Sequence, residues 1–146
     1  MISYFNSTIF RKTLAGLSGF FLVLFLLGHL LGNLQLFIPG EDGQKQFNEY
    51  ALFMTTNPAV KILSALTYSS IILHTVLTLF LAFQSSNARD IKYLQSSGNA
   101  NSTWGSKNMA VLGTLILVFI VIHMKSFWYE MHFGVIGLDR WGNKDL

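Results

Sequence analysis

Residues 14–38 read LAGLSGFFLVLFLLGHLLGNLQLFI, a run without Asp, Glu, Lys or Arg whose polar side chains are Ser18, His29, Asn33 and Gln35. A helix that crosses the hydrocarbon core of a bilayer needs about 20 mostly apolar residues, and this run is long enough. Two further windows, 62–88 and 108–124, also lack charge. The last is short by count, but apolar character resumes beyond Lys125 in Phe127, Trp128 and Tyr129. There a lysine snorkels toward headgroups and aromatic rings sit at the interface. The pattern predicts an all-α transmembrane helical bundle with three spans, 14–38, 62–83 and 109–129, in a single membrane domain covering 1–146.

Composition agrees. At 146 residues, 51% hydrophobic and 12% charged, the chain is too apolar for a small water-soluble domain, whose high surface-to-volume ratio demands polar cover. Membrane lipid is the expected surrounding. Arg11 and Lys12 precede the first run as they would in a signal peptide, but the run far exceeds an h-region and no small-residue cleavage site follows, so it is expected to stay in the mature protein. With no cysteine, disulfides, thiolate-held metals, iron–sulfur clusters on this chain and covalently attached haem are excluded. The net charge of +3 is dispersed over short connections, which is no signature of nucleic-acid binding.

With the N-terminus in the cytoplasm, Arg11, Lys12, Arg89, Lys92 and Lys107 stand on the inner side and Lys45, Lys61, Lys125, Arg140 and Lys144 on the outer. The positive-inside count is therefore tied. The acids at 41, 42, 49, 130, 139 and 145 all fall on the second side, and a cytoplasmic N-terminus is the expectation. Residues 1–12 read as an amphipathic lead-in. Pro39-Gly40 reads as a stop, 41–60 as a connection with a short interfacial helix, and 84–107 as a polar surface loop with caps among Asn101, Ser102 and Ser106.

Each span holds one histidine, His29, His74 and His123, while His132 lies beyond the third. An ionisable group inside a membrane is costly and marks a functional site by default. On the second span Thr67, Ser70, His74, Thr78 and Ser85 form one polar stripe at helical spacing. On the first, Ser18, Phe25, His29, Gly32, Asn33 and Leu36 share a face. Gly28 and Gly32 beside them read equally as a helix-packing notch or as room for a flat macrocycle. On the third, Leu112, Ile116, Phe119, His123 and Phe127 share a face.

Paired imidazoles suit a six-coordinate haem iron, which passes electrons with no vacant position for oxygen chemistry. His29 lies 15 residues after Leu14 and His123 lies 14 after Met109, so both sit about 21–22 Å from the end where those spans begin. His74 lies 9 residues before Phe83 on the antiparallel span, about 14 Å from the same end. Depth thus pairs His29 with His123 and leaves His74 nearer the N-terminal side. No two histidines stand at i, i+3 or i, i+4 on one helix, which disfavours zinc.

The segments GLSGFFLVLFLLGHLLGNLQLF, FNEYALFMTTNP, ILHTVLTLF and NANSTWGSKNMAVLGTLILVFIVIHMKSFWYEMHFG together resemble the cytochrome b558-type membrane subunit of succinate dehydrogenase, in the succinate:quinone oxidoreductase family that includes fumarate reductases. The resemblance implies a five-helix anchor with two haems b that carries electrons between a partner iron–sulfur subunit and a quinone, menaquinone being the expected one. A flavoprotein subunit handles the dicarboxylate, and the setting is the bacterial cytoplasmic membrane. By position, His29 and His123 match the ligands of the haem farther from the iron–sulfur subunit, and His74 matches one ligand of the nearer haem. The other ligand of that nearer haem comes, in the family, from a fourth helix. The sequence reaches Leu146 without one, which implies a fragment, a split subunit or a one-haem form.

Glu49, flanked by aromatics in FNEYALFM, is the candidate for proton exchange beside a quinone on the outer side. The competing expectation is a stand-alone haem-binding or transporter-like bundle in which the polar stripe lines a path. The chain itself has no Gly-rich dinucleotide fingerprint and no convergent Arg/His cluster for succinate.

Overall fold

The structure, a computed structural model, describes residues 7–88, 102–138 and 142. It is all-α, with no strand among the described residues. Three helical stretches are long and apolar enough to cross a membrane: Thr8–Phe37, Pro58–Asn87 and Met109–Phe133. The packing divides the chain into two units, with boundaries between Thr78 and Leu79 and between Val135 and Ile136.

In the first unit, α1 spans Thr8–Asn33. It starts before the expected Leu14 because Ser7 caps it, its Oγ accepting from the Phe10 amide at 3.2 Å. Arg11 and Lys12 therefore belong to the helix itself and not to a separate lead-in. A 3₁₀ turn, Leu34–Phe37, tightens its end. Pro39 is extended and Gly40 has φ +82°, a conformation that favours glycine. From there the connection forms a helix, α2, Gly40–Thr56, with Glu41 and Asp42 in its first turn, where acids complement the helix dipole.

Asn57 turns the chain into α3, Pro58–Asn87. Its Oδ1 accepts from the amides of Ala59 and Val60 at 2.9 and 3.4 Å, and Pro58 sits in the first turn, where its missing N–H costs nothing. This cap starts the helix four residues earlier than expected, and 84–87 continue it where a loop was expected.

In the second unit, Thr103 caps the short α4, Trp104–Lys107, by accepting from the Ser106 amide at 3.3 Å. The third span itself begins at Met109, as expected, but after Asn108, which makes no side-chain cap bond, so its cap position is neither Ser102 nor Ser106. Asn101 and the stretch 89–100, with Arg89 and Lys92, lie outside the described residues, as do Arg140 and Lys144. Helix α5, Met109–His123, passes into a π-helical segment, Met124–Tyr129, and then α6, Glu130–Phe133. The third apolar stretch is thereby four residues longer than expected.

Burial runs opposite to that of a water-soluble protein. Among the described residues the buried polar ones are Ser18, Asn48, Thr67 and Ser70 and the buried hydrophobic one is Ala15, while Leu31, Phe37, Ile62, Phe83 and Val121 are more than 60% exposed. Apolar faces this large are stable when lipid is the solvent, and small or hydroxylated residues are the ones that let helices approach closely.

Candidate functional site

Helices α1 and α3 meet at His74. Its Nδ1 lies 3.0 Å from the Ala15 carbonyl oxygen and 3.2 Å from Ser18 Oγ, and Ser18 Oγ donates to the same Ala15 carbonyl at 3.0 Å. A carbonyl has no proton to give, so the first contact is attractive only when Nδ1 carries the hydrogen. That tautomer leaves the lone pair on Nε2. Metal-binding histidines are commonly held this way, one ring nitrogen bonded to a carbonyl and the other facing the metal.

Gly19 makes room for the ring. A β-carbon there would stand 2.8 Å from His74 Cε1 and 3.3 Å from Nδ1. The hydroxyls of the polar stripe behave differently. Thr67 donates to Leu63 O at 2.9 Å, and Thr78 to His74 O and Thr75 O at 2.7 and 3.1 Å. These are back-bonds to their own helix. His74 is the stripe member that reaches across to α1, and Ser85 is exposed.

His29 lies on the same helix as Ser18, eleven residues on, which places it about 16 Å farther along the axis. His29 and His74 therefore belong to different levels of the first unit, in the direction the depth comparison expected but about twice as far apart as its roughly 7 Å. The His29 ring stacks on Phe25 at 5.6 Å and 21°, and its carbonyl accepts from Asn33 Nδ2 at 2.7 Å. Of the two glycines beside it, Gly28 has nothing within 4 Å of the point a β-carbon would occupy, whereas the Tyr50 phenol of α2 fills the notch at Gly32.

Glu49 is also on α2. Its side chain is 59% exposed and its Oε1 is 3.9 Å from Lys45 Nζ, while its neighbour Asn48 is buried at 1%. An open groove of about 270 Å³ lies where α2 meets the 3₁₀ turn, lined by Gln35, Gln44 and Asn48 with Leu36, Ile38 and Phe47. Glu49 is not among its lining residues.

In the second unit, His123 is the last residue of α5. Phe119 stacks on it at 5.6 Å and 22°, nearly the geometry of the Phe25–His29 pair, and Phe127 tilts against it at 4.9 Å and 44°. The π-helical segment begins immediately after it, with the Met124 amide shared between Ile120 O and Val121 O. Such segments occur often at functional positions in helices. His132 Nδ1 pairs with Trp128 O at 2.8 Å, so this imidazole is tied to its own helix.

No group of three or more His, Cys, Asp or Glu that could hold a metal stands together among the described residues. The donor set is that of single imidazoles on apolar helices. The contact of His74 Nδ1 with Ala15 O, attractive with the proton on Nδ1, is compatible with a ligand at Nε2.

Sequence reading missed Ala15, Gly19 and Tyr50. The first two were legible as Ala15-x-x-Ser18-Gly19, small residues at i, i+3 and i+4 on one face, a stronger notch than Gly28-x-x-x-Gly32. Comparison with family models, with curated proteins and with solved structures gives no match for this chain.

Proposed function

We propose that this chain is a haem b-binding membrane anchor subunit of the succinate dehydrogenase type, carrying electrons between a partner iron–sulfur subunit and a membrane quinone, with menaquinone the expected acceptor. The observation that carries the reading is the His74 imidazole, held across two apolar helices with Nδ1 3.0 Å from Ala15 O, a contact that favours the proton on Nδ1 and the lone pair on Nε2. Haem, when bound, supplies one-electron redox chemistry. The protein's part is to hold and insulate it. His74 Nε2 would help to hold one haem, and His29 and His123 would hold another. The exposed Leu, Ile, Val and Phe side chains anchor the bundle in lipid and keep water from the imidazoles. Glu49 would take up or release a proton at its carboxylate during quinone turnover.

On this reading the chain works with an iron–sulfur and a flavoprotein subunit in a bacterial cytoplasmic membrane, its N-terminus on the cytoplasmic side. A transporter-like path along the α3 stripe is less well supported, because Thr67 and Thr78 direct their hydroxyls to carbonyls of their own helix.

The test is a reduced-minus-oxidised visible spectrum of the chain expressed in membranes with haem supplied. Sharp α and Soret bands of low-spin haem b are expected. A featureless spectrum from correctly inserted protein would remove the reading.

A further inference from the structure

We infer that Ser18 and the Ala15 carbonyl form a tautomer clamp on His74, which makes Ser18 a positioning residue that keeps the Nε2 lone pair free. The inference deepens the proposed function and rests on it for the identity of the metal group, but the clamp itself is a property of the protein alone.

Histidine in water favours the opposite neutral tautomer, with the proton on Nε2, so an imidazole meant to present Nε2 must be held in the other form. Three contacts do so. The Ala15 carbonyl, 3.0 Å from Nδ1, rejects a lone pair at that nitrogen. The Ser18 hydroxyl, donating to the same carbonyl at 3.0 Å, directs its proton away from Nδ1 and turns an oxygen lone pair toward the Nδ1 proton at 3.2 Å. Gly19, 2.8 Å from Cε1 at its absent β-carbon, lets the ring lie against α1 at this distance. Ser18 is buried at 8% relative exposure, so water does not compete for these bonds, and in an apolar surrounding each polar group depends on the partner it has.

Without the Ser18 hydroxyl, the carbonyl would hold Nδ1–H alone and the ring would lose its second constraint. Threonine keeps the hydroxyl.

The test is ¹⁵N NMR of the histidine-labelled 146-residue chain in lipid nanodiscs, without haem, using His29, His123 and His132 replacements to assign the His74 signals. Nitrogen shifts separate protonated from unprotonated ring nitrogens directly. The wild type is expected to show His74 in the Nδ1–H form, Ser18→Ala a mixture of both neutral forms, and Ser18→Thr the wild-type pattern. A wild-type His74 with its proton on Nε2, or a Ser18→Ala pattern identical to wild type, overturns the inference. Haem is then added to the wild-type sample, in which His29 and His123 are intact. A clamp that stands in a chain whose spectrum stays featureless refutes the haem assignment and leaves the clamp intact, whereas a haem spectrum from a chain lacking the clamp does the reverse.

Discussion

His74 Nδ1 and the Ala15 carbonyl oxygen stand 3.0 Å apart across α1 and α3, and this bond sets the level at which the two helices meet. A buried polar group left without a partner costs about 1–3 kcal/mol, so the pair fixes helix register as well as ring orientation. The small residues around it are what allow the distance.

The first prediction follows from that. Gly19→Ala places a β-carbon 2.8 Å from His74 Cε1, and one of the two helices must shift. Destabilisation of about 1–3 kcal/mol is expected, the usual range for overpacking. Gly16→Ala is the control, because nothing lies within 4 Å of its β-position and alanine is the better helix former. Thermal unfolding in one detergent should separate the two variants. Equal stability would mean the ring is not pressed against α1.

Gly32→Ala and Gly28→Ala form a second matched pair. The Tyr50 phenol occupies the space beside Gly32, while Gly28 is open. Gly32→Ala should push Tyr50 out of its notch and loosen α2 from the end of α1, read as faster protease cleavage within 40–56. Gly28→Ala should cleave like the wild type. The reverse order would place the packing contact at Gly28.

How far the sequence showed these features depends on the scale of the physics involved. Charge-free runs of spanning length are a long-range signal, and all three apolar helices were legible from them. The starts of the first two were not, because Ser7 and Asn57 are local caps and a single side-chain bond moves a boundary by several residues. The separate level of His74 was legible from rise per residue alone. Its partner was not, because a backbone carbonyl leaves no trace in the sequence; what marks the place is the small-residue face Ala15-x-x-Ser18-Gly19.

Glu49 yields a third prediction. It is exposed and paired with Lys45 at 3.9 Å, and an i, i+4 pair of this kind contributes about 0.3–0.5 kcal/mol. Glu49→Gln should therefore change stability very little and leave haem content unchanged, while lowering quinone-linked turnover several-fold. Unchanged turnover would assign Glu49 to the solvated face of α2 and nothing more.

The fourth prediction concerns haem number. His29 and His74 lie about 16 Å apart along the helix axis, so they cannot share one iron. The isolated 146-residue chain is expected to bind one bis-histidine haem, lost in His29→Ala and in His123→Ala and retained in His74→Ala. A second is expected when a histidine-bearing helix is supplied in trans. Pyridine haemochrome assay against protein concentration gives the ratio. A ratio near two for the chain alone would require a ligand for His74 other than a histidine of this chain.

The last prediction concerns Phe25 and Phe119. Each stacks on the histidine four residues later in its own helix, at 5.6 Å with interplanar angles of 21° and 22°. A stacked aromatic contact adds about 0.5–1.5 kcal/mol beyond simple burial, enough to restrain how an imidazole turns about its side-chain torsion. For an axial ligand that torsion sets the plane of the ring, and the angle between two such planes governs the low-spin g values of the oxidised haem. Phe25→Leu and Phe119→Leu keep apolar volume but remove the flat face. Each is expected to preserve haem content and the bis-histidine optical spectrum while shifting the largest g value in the electron paramagnetic resonance spectrum, and the double variant is expected to shift it further. The control is Phe83→Leu, at a 68% exposed position, which should leave the signal in place. An unchanged g value in both single variants and in the double would show that the two stacks do not orient the ligands.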